Sequence, residues 1–153
     1  LVHQLKFSEK ISYARSIGEM LLTKFELDLL PEQGRPDCLL PVALHESRLR
    51  QRGFNQSVEI ARVIAKKLSI PIDYDTVIRQ RRTVSQKGLN AKQRRKNIRN
   101  AFCVTVDTSY RHVLIVDDVV TTGSTVNELA RLLKQAGVER VGVLSIASAP
   151  VNG

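Results

Sequence analysis

Residues 112–125 read His-Val-Leu-Ile-Val-Asp-Asp-Val-Val-Thr-Thr-Gly-Ser-Thr, and their order decides the fold. Val113 to Val116 form an unbroken aliphatic run, as expected of a parallel strand covered on both faces. Two carboxylates end the run, a hydroxyl-rich loop surrounds Gly123, and a helix is predicted from about Ser124. Val126, Leu129, Ala130 and Leu133 share one face of that helix, and Gly137 stops it. Ligands of open parallel sheets sit beyond the carboxyl ends of the strands, so residues 117–125 are the first candidates for a site.

Working outward, Val141 to Ile146 reads as another buried strand. Residues 101–106 and 76–80 read as strands bracketing a cationic stretch, with some helix over 90–100. Asn55 is a predicted N-cap for a helix with Val58, Ala61, Ile64, Ala65 and Leu68 facing inward. Cys38 to Leu44 is a short strand whose interior proline ends it near Pro41. Before a break at 31–37 (PEQGRPD), Ile11, Ala14, Ile17, Leu21, Leu22, Phe25 and Leu29 follow helical spacing behind Ser8. Strands alternating with helices of this length predict an α/β fold with a mainly parallel sheet and flanking helices.

The chain of 153 residues carries a net charge of +9. Residues 79–99 hold nine Lys or Arg and no acid, and the remainder has 15 bases and 15 acids. A neutral globule with one cationic segment is therefore expected, rather than a histone-like coat of positive charge. No apolar run approaches the roughly 18 residues that span a bilayer, and residues 1–30 lack the continuous apolar stretch of a secretory signal. A cytoplasmic protein without membrane insertion is the expectation. Cys38 and Cys103 read as buried reduced thiols, and two distant thiols without clustered His make no four-ligand zinc site.

The 117–125 segment has the chemistry of a phosphate cup. Its backbone N–H groups and the hydroxyls of Thr121, Thr122, Ser124 and Thr125 suit an anion, and Gly123 permits close approach or positive φ. Asp117 and Asp118 beside it suit sugar hydroxyls or Mg²⁺. The plain alternative is that the two acids only cap a turn. A Walker A loop needs a lysine after the glycine, and a dinucleotide fold needs GxGxxG; both are missing. A response-regulator receiver would place its phosphoacceptor aspartate well downstream, and no Asp follows Asp118.

VLIVDDVVTTGST is similar to the phosphoribosyl pyrophosphate (PRPP) signature of type I phosphoribosyltransferases. Pro41-Val42-Ala43-Leu44-His45, Arg52-Gly53-Phe54-Asn55-Gln56, Arg82-Thr83, Gln86, Leu89, Arg95, Asn97, Ala101 and Phe102 resemble the ComF/GntX branch of that superfamily, as does the start at Leu1 to Phe7. The resemblance implies residues 1–36 as a helical hood and 37–153 as the PRPP-binding domain. It implies Asp117 and Asp118 at the ribose hydroxyls, holding Mg²⁺ indirectly, and Thr121, Thr122, Gly123, Ser124 and Thr125 at the 5-phosphate. Val42, Ala43, Leu44 and His45 would form the pyrophosphate loop, with Arg48 and Arg52 adding charge. Segment 82–99 would be a flexible loop closing over PRPP, bringing Arg82, Lys87, Arg94 and Arg95.

Two residues have bland readings beside the functional ones: Lys87 as a solvated loop lysine, and His45 as loop packing. The family usually carries a four-cysteine zinc module ahead of the part read here, and its Pro-Val-Pro loop reads Pro-Val-Ala in this chain. The hood offers few distinctive polar groups, which leaves the acceptor unidentified. The resemblance implies transfer of phosphoribose from PRPP, linked to DNA uptake in competence. The alternative is a PRPP-sensing or single-stranded-DNA-binding accessory using residues 79–99, with a competence-machinery protein as a further partner.

Overall fold

The aliphatic run becomes the middle strand of a parallel sheet. The structure is a computed structural model that describes residues 2–42, 50, 55–79, 90, 92–93, 96, 101–104, 109–117, 119–120, 123–145 and 147–148. Strand β4 (His112–Val116) pairs in parallel with β1 (Cys38–Pro41) on one side and with β6 (Arg140–Leu144) on the other. Outside β1, the Leu39 N–H donates to Pro71 O and the Asp73 N–H to Leu39 O, both at 2.9 Å, so Ile72 extends the sheet by one bridge. All five β4 residues are buried. Each aliphatic side chain so removed from water contributes about 1.5–3 kcal/mol.

The strand alternation splits the core in two. Cys38, Leu40, Val113 and Ile115 face α4 (Ser124–Gln135) through Val126, Leu129 and Leu133. Leu39, Leu114, Val116 and Leu144 face α1 (Val2–Lys24) and α3 (Gln56–Leu68) through Ile17, Leu21, Ile60 and Ile64, with Phe25 just beyond α1 in the same cluster. Helices thus cover both faces, as the all-aliphatic strand requires. The α1 and α3 backbones approach so closely that a Cβ on Gly18 would lie 2.9 Å from Val63 Cβ. A methyl there forces the helices apart.

The first helix is longer than its sequence pattern predicts. It starts at Val2 rather than Ser8, and it crosses Pro31. After α1 the chain widens into a π-helical turn (Phe25–Leu29), where the Leu30 N–H reaches the Phe25 carbonyl, and then resumes as α2 (Leu30–Gln33). A proline ring clashes with the carbonyl four residues back in a regular helix, and the wider turn ahead of Pro31 relieves that clash. The break shrinks to 34–37.

Other expectations need smaller changes. On α3 the fully buried positions are Ile60, Ala61 and Ile64, while Val58, Ala65 and Leu68 are half-buried. Strand β6 is one residue off the expected start and is not buried throughout: among the described residues the sheet ends there, and Val143 is 38% exposed. Cys38 is buried but Cys103 only half so. Strands β2 (Val77–Arg79) and β3 (Phe102–Val104) pair antiparallel, outside the parallel sheet. Strands β5 (Val119–Val120) and β7 (Ala147–Ser148) form a short parallel pair. Within 90–100 the helix begins where expected: Asn90 Oδ1 accepts from the Gln93 N–H at 2.8 Å and Gln93 Oε1 from the Asn90 N–H at 3.0 Å, a capping box.

Candidate functional site

Three chain ends meet at the carboxyl edge of the sheet. The Val42 N–H donates to Val116 O at 2.9 Å and the Asp117 N–H to Leu144 O at 3.0 Å, so the residues leaving β1, β4 and β6 stand side by side. Asp117 is half-buried at this edge. Six residues on, Gly123 adopts φ +76° and ψ 0° and caps α4, with its carbonyl accepting the Asn127 N–H at 2.8 Å. The positive φ expected as one reason for this glycine is present. Among the described residues, a Cβ here would have only the Asn127 side chain nearby, at 3.4 Å.

Val42, Asp117, Gly123, Ser124 and Thr125 are thus the predicted residues the structure describes. Ser124 and Thr125 begin α4 and are half-buried. Asp118, Thr121 and Thr122 lie outside the described residues, as do Ala43, Leu44, His45, Arg48, Arg52, Arg82, Lys87, Arg94 and Arg95. Lys92 and Lys96 of the cationic stretch are exposed.

The opposite edge of the sheet is electrostatically settled. Asp37 Oδ2 accepts from the His112 and Arg111 N–H groups at 2.9 and 2.7 Å, and these bonds hold its carboxyl below the usual range. Burial pushes the Cys38 thiol up to about 12, which makes it a poor nucleophile. Burial also raises Asp73, but hydrogen bonds from Thr76, Asp75 and Tyr110 outweigh it and keep that carboxylate low. These groups serve the fold.

Two features of the carboxyl edge have no strong sequence signal. Asn55 reads only as a helix cap, yet its Nδ2 also donates to Val42 O at 3.1 Å. Between the end of α1, the start of α4 and the end of β6 lies a cavity of about 330 Å³, lined by Lys24, Leu29, Gly123, Asn127, Val143 and Ser145 among others. Lys24 is one of many charged positions on a long helix, and nothing in its neighbours singles it out.

Comparison with known proteins bears on the family and the fold. The family model described as phosphoribosyl transferase domain matches residues 55–152. Competence protein F of Haemophilus influenzae is 36% identical over 97% of this chain and 67% of its own length. DNA utilization protein YhgH of Escherichia coli is 39% identical over 94% of this chain and 63% of its own length. The chain thus spans about two thirds of the length of these curated relatives. Among solved structures, the glutamine phosphoribosylpyrophosphate amidotransferase from B. subtilis superposes with a TM-score of 0.54 at 21% identity, over 87% of this chain and 26% of that one. That likeness establishes the type I phosphoribosyltransferase fold.

Proposed function

Because the chain belongs to the phosphoribosyl transferase domain family, we propose that it binds PRPP with Mg²⁺ in the cytoplasm and transfers the phosphoribosyl group to an acceptor, releasing pyrophosphate. The observation that carries this reading is the crossover from β4 to α4: Asp117 leaves the central strand at the carboxyl edge, and Gly123, at φ +76°, opens α4 beside it. A half-buried carboxylate and a helix start thus bound one strand-to-helix crossover at the carboxyl edge, the arrangement that suits a sugar phosphate.

In this reading Asp117 and Asp118 accept hydrogen bonds from the ribose hydroxyls. Thr121, Thr122, Gly123, Ser124 and Thr125 surround the 5-phosphate. Val42, Ala43, Leu44 and His45 take the pyrophosphate, helped by Arg48 and Arg52. The cationic stretch closes from above through Arg82, Lys87, Arg94 and Arg95. Mg²⁺ commonly rests on one or two carboxylates and the substrate's own phosphates, so Asp117 and Asp118 would act through the bound ligand. When bound it supplies positive charge at the pyrophosphate. Breaking the C1–O bond leaves positive charge on the ribose and negative charge on the leaving group, which cationic donors around the pyrophosphate stabilise.

Calorimetric titration of PRPP with and without Mg²⁺, into the parent and an Asp117→Asn/Asp118→Asn variant, tests the reading. Micromolar-range binding that needs Mg²⁺ and is lost in the variant supports it; equal binding by both sinks it. Pyrophosphate release with a panel of bases then tests catalysis.

A second reading follows from the names of two relatives, a competence protein and a DNA utilization protein. Residues 79–99, with nine cations and no aromatic side chain, suit single-stranded phosphates better than stacked bases. The chain then acts as an accessory to DNA uptake, with PRPP as the ligand that orders the loop and a competence-machinery protein as partner. Turnover with no base in the panel favours this reading.

A further inference from the structure

We propose that the cavity between the end of α1 and the start of α4 is the acceptor pocket, and that it takes a planar heteroaromatic ring bearing a carboxylate, with Lys24 as the specificity-determining residue. The proposal rests on the reading of residues 117–125 as the PRPP site.

Position comes first. Gly123 belongs both to the cavity wall and to the loop that opens α4. Ser145, another wall residue, directly follows Leu144, whose carbonyl accepts the Asp117 N–H. A ligand here lies beside both ends of a sugar phosphate held by Asp117 and the loop. At about 330 Å³ the space is at the small end of ligand pockets, enough for one substituted ring system.

Charge sets the class. Among the described lining residues Lys24 is the one charged side chain, and none is an acid. No ion pair or hydrogen bond among the described residues uses its ammonium group. A cationic amine entering this space meets like charge, whereas a carboxylate gains a charge-assisted hydrogen bond. Leu29 and Val143 supply apolar surface for a ring, and the Asn127 amide and Ser145 hydroxyl offer neutral hydrogen bonds at the same opening. Among the described residues, the polar side chain that the hood contributes to this wall is thus a cation.

The chemistry balances without a further reagent. The lone pair of a ring nitrogen forms the bond to ribose C1, the C1–O bond breaks with its electron pair leaving on pyrophosphate, and any proton on that nitrogen passes to solvent. The carboxylate stays ionised at Lys24 and takes no part in bond changes.

The test uses pairs of probes that differ in charge: nicotinate against nicotinamide, and orotate against uracil. Each is titrated by calorimetry into the intact chain, with and without saturating PRPP and Mg²⁺. The expected result is at least about tenfold tighter binding of one or both carboxylates than of the neutral partner. Lys24→Gln should shrink that preference to within about threefold, Lys24→Arg should keep most of it, and PRPP affinity should stay within about twofold of the parent in both. Lys24 is exposed, so both variants should fold as the parent does. Failure of every carboxylate to bind, or a preference untouched by Lys24→Gln, overturns the proposal. Lys24-dependent carboxylate binding in a chain that never binds PRPP overturns the acceptor role and the PRPP reading together, whereas PRPP binding without carboxylate preference overturns the pocket alone.

Discussion

The side chain of Asn55 holds the carbonyl of Val42. Its Nδ2 donates to Val42 O at 3.1 Å, and its Oδ1 accepts from the Ser57 and Val58 N–H groups at 3.0 and 3.4 Å. One amide therefore caps α3 and fixes the residue that leaves β1 at the site edge. The two tasks separate by substitution. Asn55→Ser keeps a capping oxygen and loses the donor to Val42; Asn55→Ala loses both. The Ala variant should be less stable in urea by about 1–2 kcal/mol and the Ser variant by less than about 1. Both should bind PRPP more weakly, because the backbone at Val42 is no longer oriented. Parent-like PRPP affinity in the Ser variant sinks the positioning role.

Gly123 is required by its backbone rather than by crowding. An L-residue at φ +76° costs about 1–2 kcal/mol, and among the described residues only the Asn127 amide, at 3.4 Å, lies near the missing Cβ. Gly123→Ala should lower the denaturation midpoint accordingly, and Gly123→Asn should lower it less, since Asn tolerates the left-handed region. Equal midpoints for parent and Ala variant in thermal unfolding contradict the geometry.

The core was readable because each signal was local. Val113 to Val116 needed only their own side chains to announce a two-sided strand, and Asn55 needed only its place ahead of an apolar period. Of the candidate site, the two ends of one crossover were readable: Asp117 at the end of the strand and Gly123 at the start of the helix. What escaped depends on contacts distant in sequence. The link from Asn55 to Val42 spans 13 residues, and Lys24 comes to line one cavity with Asn127 and Ser145 only after the sheet has formed. The helix through Pro31 escaped for another reason: a π-helical turn tolerates a proline that a regular helix rejects, and no residue pattern in Phe25–Leu29 marks that turn.

His112 should make stability pH-dependent. Its side chain is 5% exposed, and both ring nitrogens lack a hydrogen-bond partner among the described residues. Burial, then the neighbouring Arg140 charge, holds its pKa below the ordinary 6.5. The unfolded chain therefore takes up this proton first as pH falls, and stability present above about 6.5 declines until the folded pKa is passed. Asp37 acts in a separate window: its carboxyl is lowered from 3.8, so its contribution is lost only in stronger acid. In His112→Phe, urea unfolding should match or exceed the parent at pH 7, because no polar nitrogen is left buried. The decline between pH 7 and 5 should flatten in that variant, and an unchanged decline refutes the assignment.

The cationic stretch offers the sharpest division between the two functional readings. If residues 79–99 follow single-stranded DNA through about six phosphates, log K should fall against log salt with a slope near −4. That corresponds to a few hundredfold between 50 and 200 mM salt. Replacing Arg94, Arg95 and Lys96 by Ala should flatten the slope by about 2, three contacts at roughly 0.7 each, and should weaken binding evenly across sequences. Asp117→Asn/Asp118→Asn should leave DNA binding intact, because those acids oppose a polyanion and do not hold it. Fluorescence anisotropy on oligonucleotides of different composition reads all three effects. A salt-insensitive affinity removes the polymer reading and leaves the nine charges to the small ligand. Loss of DNA binding when PRPP is added ties the two together, since a loop closed on pyrophosphate has spent its cations there.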